Sequence, residues 1–492
     1  MAAAAAAAKA AATKPLQLQL LEKQLKSYDP GVRSQGLGTI PVLPVPVDLL
    51  SKSIVELLEH ENLYVKQTAV EAIGRAATAK NTSCILALDR VGPLVKHGQP
   101  EVGRQAFAAL LRAKELAPEE LIPEQRHPAS LDDQRQKKPL PPGPAETAAI
   151  KAAEWLQDDD PRTRRQAVEL LTQMGPFAAP YCEGMAAMLA DRDIHVRLAV
   201  VNALGYLGVE AKGGIAKAGE QLGHADAAVR RSAAKAMVAI AAHSGEEAAA
   251  AVCPQLSSPD PAVRISALEV MSSLGPLAAP YGSSLAKLLA DRSPRVPEAA
   301  ARALISAGPK VVKYLKHIKV SLLSENPKHR AAAELAMRGL SSQSAHVAAF
   351  ASSLLRDHAT EDGSVVYQAH HRVHALRVLA SAQENAVPYL NDVVNELDRR
   401  DWALRRAAME TFEELGVHAR KAAREVAKRL SSHDKDIRRA AAETLGRMGS
   451  HATVYGQQLV GALRLESDKH VRDACEDAVV RLKEAGVLDD DA

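Results

Sequence analysis

Apolar and small residues recur along this chain at spacings that place them on one face of a helix. Counted from a recurring arginine, they stand three, seven and ten residues on: Ala167, Leu171 and Met174 in one stretch, Val200, Leu204 and Leu207 in the next. The pattern returns at Ala267, Met271 and Leu274, and again at Ala441, Leu445 and Met448. Such spacing predicts an amphipathic helix in each stretch. A glycine follows each face at offset eleven, at Gly175, Gly208, Gly275, Gly308, Gly416 and Gly449. Glycine tolerates the left-handed backbone that ends a helix, so these positions predict helix C-termini. A second apolar helix follows, and the cycle restarts.

The arginines set the period. Arg164, Arg197, Arg230 and Arg264 follow one another at 33, 33 and 34 residues. After a break, Arg330, Arg372, Arg405, Arg438 and Arg472 follow at 42, 33, 33 and 34. Arg33, Lys66 and Arg104 mark three earlier copies. Four residues before the marker stand Asp29, Asp160, Asp193, Asp226, Asp260, Asn326, Asp401, Asp434 and Asp468. An Asp or Asn there is an N-cap, accepting from the free N–H groups of the first turn. Pro30, Pro161, Pro261 and Pro327 follow their caps at the first helical position, where the missing N–H costs nothing.

Two helices per period of about 33 residues, with an Asp/Arg marker on the second helix, resemble the HEAT-repeat family. The form is closest to the short HEAT-like repeats of phycobilisome lyases. Gly175-Pro-Phe-Ala-Ala-Pro-Tyr181 and Gly275-Pro-Leu-Ala-Ala-Pro-Tyr281 are near copies 100 residues apart. The resemblance covers residues 16 to 486 and implies an all-α fold, an α-solenoid of about thirteen helix pairs in a right-handed superhelix. It also implies a structural ladder between adjacent repeats, formed by Asp160, Arg164, Asp193, Arg197, Asp226, Arg230, Asp260, Arg264, Asp401, Arg405, Asp434, Arg438, Asp468 and Arg472. Activity does not follow from it, because such arrays serve many ends.

Breaks in the register divide the chain. Pro297 stands at the arginine position, so its helix must start late or bend. The stretch from Glu115 to Pro144 holds seven prolines and reads as a loop or linker. The expected order is an alanine-rich tail over 1–15, N-terminal repeats over 16–114, a Pro-rich linker over 115–146, the main array over 147–486 and an acidic tail over 487–492. The extra residues before Arg372 are assigned to a longer loop around Asp357 to Ser364.

Composition agrees with a stacked array. Aromatics make up 3% of residues while AVILMFWYC reach 47%, so Ala, Leu and Val supply the apolar surface. Alanine is the best helix former, and it buries little area, so many small units must share the core. Lys+Arg 62 against Asp+Glu 59 leaves a net charge of +3, too small for a molecule-wide field toward nucleic acid or membrane. No apolar run approaches the roughly 18 residues that span a bilayer. Cys84, Cys182, Cys253 and Cys475 are far apart and form no CxxC pair, which fits buried thiols in a reducing compartment. The tract from Met1 to Lys14 lacks the pattern of a secretory signal. It contains no acid, which leaves an organellar transit segment open beside a fraying tail. The cytoplasm is the expected location.

Candidate chemistry is sparse. His370 and His374 stand one helical turn apart, with His371 between them, half of a metal site without an evident third ligand. No G-x-S-x-G, phosphate loop or H-E-x-x-H is present. The reading assigns no catalytic residue, metal or cofactor. Doubled arginines recur, and the second of each pair, Arg165, Arg231, Arg406 and Arg439, projects beside Glu169, Glu410 and Glu443. An unshielded row of guanidinium groups could track phosphates, whereas alternating signs suit a protein partner. Trp402 follows its cap beside Arg399, Arg400, Arg405 and Arg406, as a binding anchor or as packing against the next repeat. Trp155 is expected in the core. The expected function is a non-enzymatic scaffold or structural subunit binding other proteins through Arg165, Arg231, Trp402, Arg406 and Arg439. The alternatives are nucleic-acid binding through the arginine row and chromophore handling like that of the lyases.

Overall fold

The computed structural model describes residues 16–39, 54–78, 144–356 and 369–486, with scattered positions at 91, 94, 102–103, 105–106, 108–109 and 488. The alanine-rich tail, Arg104, nearly all of the Pro-rich segment and the loop around Asp357 to Ser364 lie outside the described residues. Among the described residues there are helices and turns and no strand, and no helix is long and apolar enough to cross a membrane. Two compact units divide the chain, Met1–Ala251 and Val252–Ala492. Each is an all-α solenoid.

In the first unit the described helices are α1 (Leu16–Leu25), α2 (Pro30–Thr39), α3 (Leu63–Thr78), α4 (Pro144–Glu154), α5 (Pro161–Met174), α6 (Cys182–Ala187), α7 (Ile194–Leu207), α8 (Lys212–Gln221) and α9 (Ala227–Val252). The last of these kinks at Ser244 and ends at the division. The second unit holds α10 (Pro261–Leu274), α11 (Gly282–Lys287), α12 (Val296–Ala307), α13 (Leu315–Leu322), α14 (Pro327–Ser341), α15 (Ala345–Arg356), α16 (Ala369–Ala380) and α17 (Leu390–Glu396). It closes with α18 (Trp402–Leu415), α19 (Ala423–Lys428), α20 (Lys435–Met448), α21 (Gly456–Leu465) and α22 (Lys469–Glu484).

Long marker helices pack on one another in one layer, and the shorter helices that precede them form the other. The layers differ in length because many of the short helices enter through 3-10 turns. The near-copied heptapeptides form two of these turns, Gly175–Tyr181 and Gly275–Tyr281, each with a proline inside. Small residues let the layers meet closely. A Cβ added to Gly205 would lie 2.9 Å from that of Ala239, so α7 and α9 touch nearly backbone to backbone.

The core is the face read from the spacing. Ala167, Leu171, Met174, Val200, Leu204, Ala267, Met271, Ala441 and Leu445 are fully buried, and Trp155 is buried with them. Gly175, Gly208, Gly275, Gly308, Gly416 and Gly449 all take positive φ at the ends of their helices. Arg372 has Gln383 at the same offset, and its φ of 50° makes it the one non-glycine residue with positive φ among the described residues. Pro297 delays its helix as expected: α12 begins at Val296, one residue before the proline, whereas α5, α7 and α10 begin three before their arginine.

Candidate interaction surface

The marker turn is one device repeated. The N-cap side chain accepts from the N–H two residues on, at Asp160, Asp193, Asp226, Asp260, Asn326, Asp401, Asp434 and Asp468. The side chain two residues before the cap accepts the cap's own N–H: Asp158, Asp191, His224, Ser258, Ser324, Ser432 and Glu466 do this. The arginine then reaches back and donates to the carbonyl six residues earlier, from Arg164, Arg197, Arg230, Arg264, Arg330 and Arg438 at 2.7–2.9 Å. Arg472 does the same through Nη2 at 2.8 Å. A carbonyl-rich turn that would otherwise need water is thereby satisfied by a guanidinium.

The implied ladder is therefore built differently from a chain of Asp–Arg pairs. Each Asp of the ladder, and each Arg of it except Arg405, first serves its own turn. Ties to the next repeat run from the arginine to the residue two before the next cap, where that residue is acidic. Arg164 donates to both oxygens of Asp191 at 2.7 and 2.8 Å. Arg264 donates to Asp291 at 2.7 Å, and Arg438 to both oxygens of Glu466 at 2.8 and 2.9 Å. Arg405 lies nearest the expected pairing, 4.0 Å from Asp434 and 3.6 Å from Asp436. Burial would push the Asp191 carboxyl up, but Arg164 and the Asp193 N–H hold it below its usual range. The Arg438 bond holds Glu466 below its range as well. Arg372 instead meets the buried Glu396 at 2.6 Å, whose carboxyl burial pushes up.

The second arginines face solvent in two groups. In the first unit Arg165 pairs with Glu169 at 2.9 Å, while among the described residues Arg231 donates only to the Ala227 carbonyl of its own helix. These two helices are not neighbours, because α7 stands between them. In the second unit α18 and α20 are adjacent. There Arg406 pairs with Glu410 at 2.9 Å, and Arg439 lies 3.7 Å from Glu443, which burial pushes upward against the pull of Arg439, Arg447 and Arg481. The Arg439 guanidinium sits over the Trp402 ring, 4.3 Å from its centre. Trp402 packs against Arg439 of the next repeat and remains 41% exposed. A cation over its ring fixes the orientation of the indole.

The surface extends along the marker helices as alternating charge. Glu334 on α14 pairs with His374 of α16 and lies 3.6 Å from Arg377 and 3.8 Å from Arg338. Arg338 continues to Glu414 of α18 at 3.2 Å, and Glu413 pairs with Arg447 of α20. His374 is thus engaged by a carboxylate, His370 and His371 stack edge to face at 4.1 Å, and no metal-ligating cluster occurs among the described residues. Cys182 and Cys475 are buried, their thiols pushed up to about 11, first by burial. Cys84 lies outside the described residues. Two open grooves of about 800 and 810 Å³ lie along the short helices, beside Arg438 and Tyr455 in one case and Arg264 and Lys287 in the other.

A family model described as HEAT repeats matches residues 390–479, the stretch that holds α17 to α21 and most of α22. The chain matches no curated protein. Among solved structures it is similar to Kap121p, at 12% identity and a TM-score of 0.42 over 98% of this chain and 63% of that one. It is similar also to Kap121p bound to Pho4p, at 13% and 0.41 over 97% and 63%. A third is the karyopherin Kap121p bound to the SUMO protease Ulp1p, at 13% and 0.40 over 97% and 62%. The chain thus spans less than two-thirds of the length of these structures.

Proposed function

We propose that this chain, HEAT repeats in residues 390–479 and helix pairs of the same register elsewhere, is a non-enzymatic scaffold that holds protein partners on its marker helices. One observation carries the reading: a half-exposed Trp402 fixed by Arg439, beside Arg406 and Arg439 that each have a carboxylate on their own helix. Aromatic and arginine side chains dominate binding energy at protein interfaces. Charges already paired across the surface offer a partner both signs and little net attraction to phosphate. The partners are other proteins, in a multisubunit assembly, and the working location is the cytoplasm. The row Arg165, Arg231, Arg406 and Arg439 favours nucleic acid only at Arg231, which has no carboxylate at the equivalent place.

The test is affinity capture from the native source with quantitative mass spectrometry. Trp402→Ala and the double reversal Arg406→Glu with Arg439→Glu serve as comparison baits. A set of proteins retained by the wild type and lost by both variants is the expected result. Truncating an anchor of this kind costs about 2 kcal/mol. Equal capture by all three baits would place the partner surface elsewhere.

A further inference from the structure

The first unit carries a surface of different chemistry at the same register. In α7 the positions that hold Arg165 and Glu169 on α5 are Leu198 and Asn202. Ile194, Leu198, Tyr206 and Val209 are 54%, 42%, 77% and 55% exposed. At 100° per residue Ile194, Leu198 and Tyr206 share the half of α7 opposite its buried residues Val196, Val200, Ala203, Leu204 and Leu207, while Val209 follows in the 3-10 turn beyond Gly208. A helix apolar on both sides has one side that its own fold does not use.

The surroundings define what fits. The stripe is one helix wide and roughly 18 Å long, at 1.5 Å per residue. Arg165 and Glu169 border it on α5, Arg231 and Lys235 on α9. Along the stripe itself charge is one-sided: from Ile194 to Val209, and from Ala227 to Gly245, the sequence holds no acid. Of the acids just beyond these ends, Glu210, Glu246 and Glu247, the last pairs with Lys212. The cap carboxylates Asp193 and Asp226 are bound to backbone N–H groups, and Glu169 to Arg165. Arg231, Lys235 and His195 are exposed without a carboxylate partner among the described residues.

We infer that the exposed face of α7, with the cations of α9 beside it, is a docking strip for an acidic amphipathic helix of a partner protein. The apolar anchors of such a helix, three and four residues apart, lie along Leu198 and Tyr206. Its carboxylates face Arg231 and Lys235. The narrow apolar strip between polar neighbours suits a helix better than a planar bilayer. This site is independent of the Trp402 surface.

Random 18-residue peptides displayed on phage, selected against the full chain, test the inference. Enriched sequences are expected to combine a helical apolar period with flanking Asp or Glu. A labelled synthetic copy should bind at least tenfold more weakly to the Leu198→Glu, Tyr206→Glu double variant. The same loss is expected for Arg231→Glu with Lys235→Glu, and none for Trp402→Ala. All these side chains are exposed, so circular dichroism melts should coincide with the wild type. Failure to enrich any peptide, enrichment of basic ones, or equal affinity for the α7 variant would overturn the inference. So would phosphatidylserine vesicle binding, or self-association by sedimentation, that Leu198→Glu abolishes.

Discussion

The marker helices α7 and α18 are built on one plan and present opposite surfaces. Both start at an aspartate cap, bury a near-invariant arginine and end at a glycine with positive φ. At the solvent-facing offsets of one, five and nine from that arginine, α7 has Leu198, Asn202 and Tyr206. In α18 the same offsets carry Arg406, Glu410 and Glu414. The buried columns and the turn are what the repeat must keep to fold. The three outward columns are not constrained by the packing of the repeat, and their chemistry differs between the two helices.

The sharpest break in that comparison comes from substituting across the two kinds of column in one helix. Arg197→Ala removes two charge-assisted bonds to the Asp191 and Arg192 carbonyls and leaves them poorly satisfied. The expected loss is about 3 kcal/mol. Its neighbour Leu198→Ala should stay within about 0.5 kcal/mol. Urea unfolding measures both. Hydrogen exchange should show the Arg197 loss in its own and adjacent repeats, because nearest-neighbour contacts carry repeat stability. Equal protection loss across the whole array would contradict that.

A smaller effect separates turns with an acidic tie from those with serine. Glu466→Gln weakens the bond from Arg438 and should cost about 1–2 kcal/mol at pH 7. Because Glu466 is held below its ordinary pKa, its contribution is present above the unfolded carboxylate range. It is lost as pH falls through the folded value. Wild type and variant should therefore converge in thermal melts as pH is lowered from 7 to 3, and a constant gap would reject the tie. The same experiment on Ser432, at the equivalent place, should show no such pH dependence.

The smallest expected change is a gain. Gln383 adopts the left-handed backbone that glycine supplies in the other repeats. Gln383→Gly should stabilise by up to about 1 kcal/mol, relief of strain outweighing the added freedom of the unfolded chain. A lower melting temperature would show that the glutamine side chain contributes something that its backbone cost conceals.

The sequence made the fold legible because most repeats restate the same constraints. Cap, arginine and apolar offsets agree in most copies and the closing glycine in six, so the buried face could be read from the spacing. The route of the inter-repeat ties was not legible in the marker alone. It depends on the residue two before the cap, which is Asp191 or Glu466 in some copies and His224 or Ser432 in others. The Trp402–Arg439 contact joins residues on separate helices, 4.3 Å apart only after stacking. The apolar stripe of α7 is not marked by the doubled arginines, since Leu198 interrupts their row; it is visible only at the offsets of one and nine compared across the copies. Residues such as Arg104 and the Pro-rich stretch lie outside the described structure, so the expected boundary at 115–146 stands as a proposal.

The measurement that bears most directly on the scaffold reading is the titration of labelled random duplex DNA against the full chain at several salt concentrations. Paired charges at Arg165, Arg406 and Arg439 predict weak binding with a shallow salt slope. A binder that neutralises phosphates would lose about 0.9 in log K per contact for each tenfold rise in salt. Negligible binding, unchanged by Arg406→Glu with Arg439→Glu, is the expected result. Tight binding with a steep slope, abolished by those reversals, would contradict it.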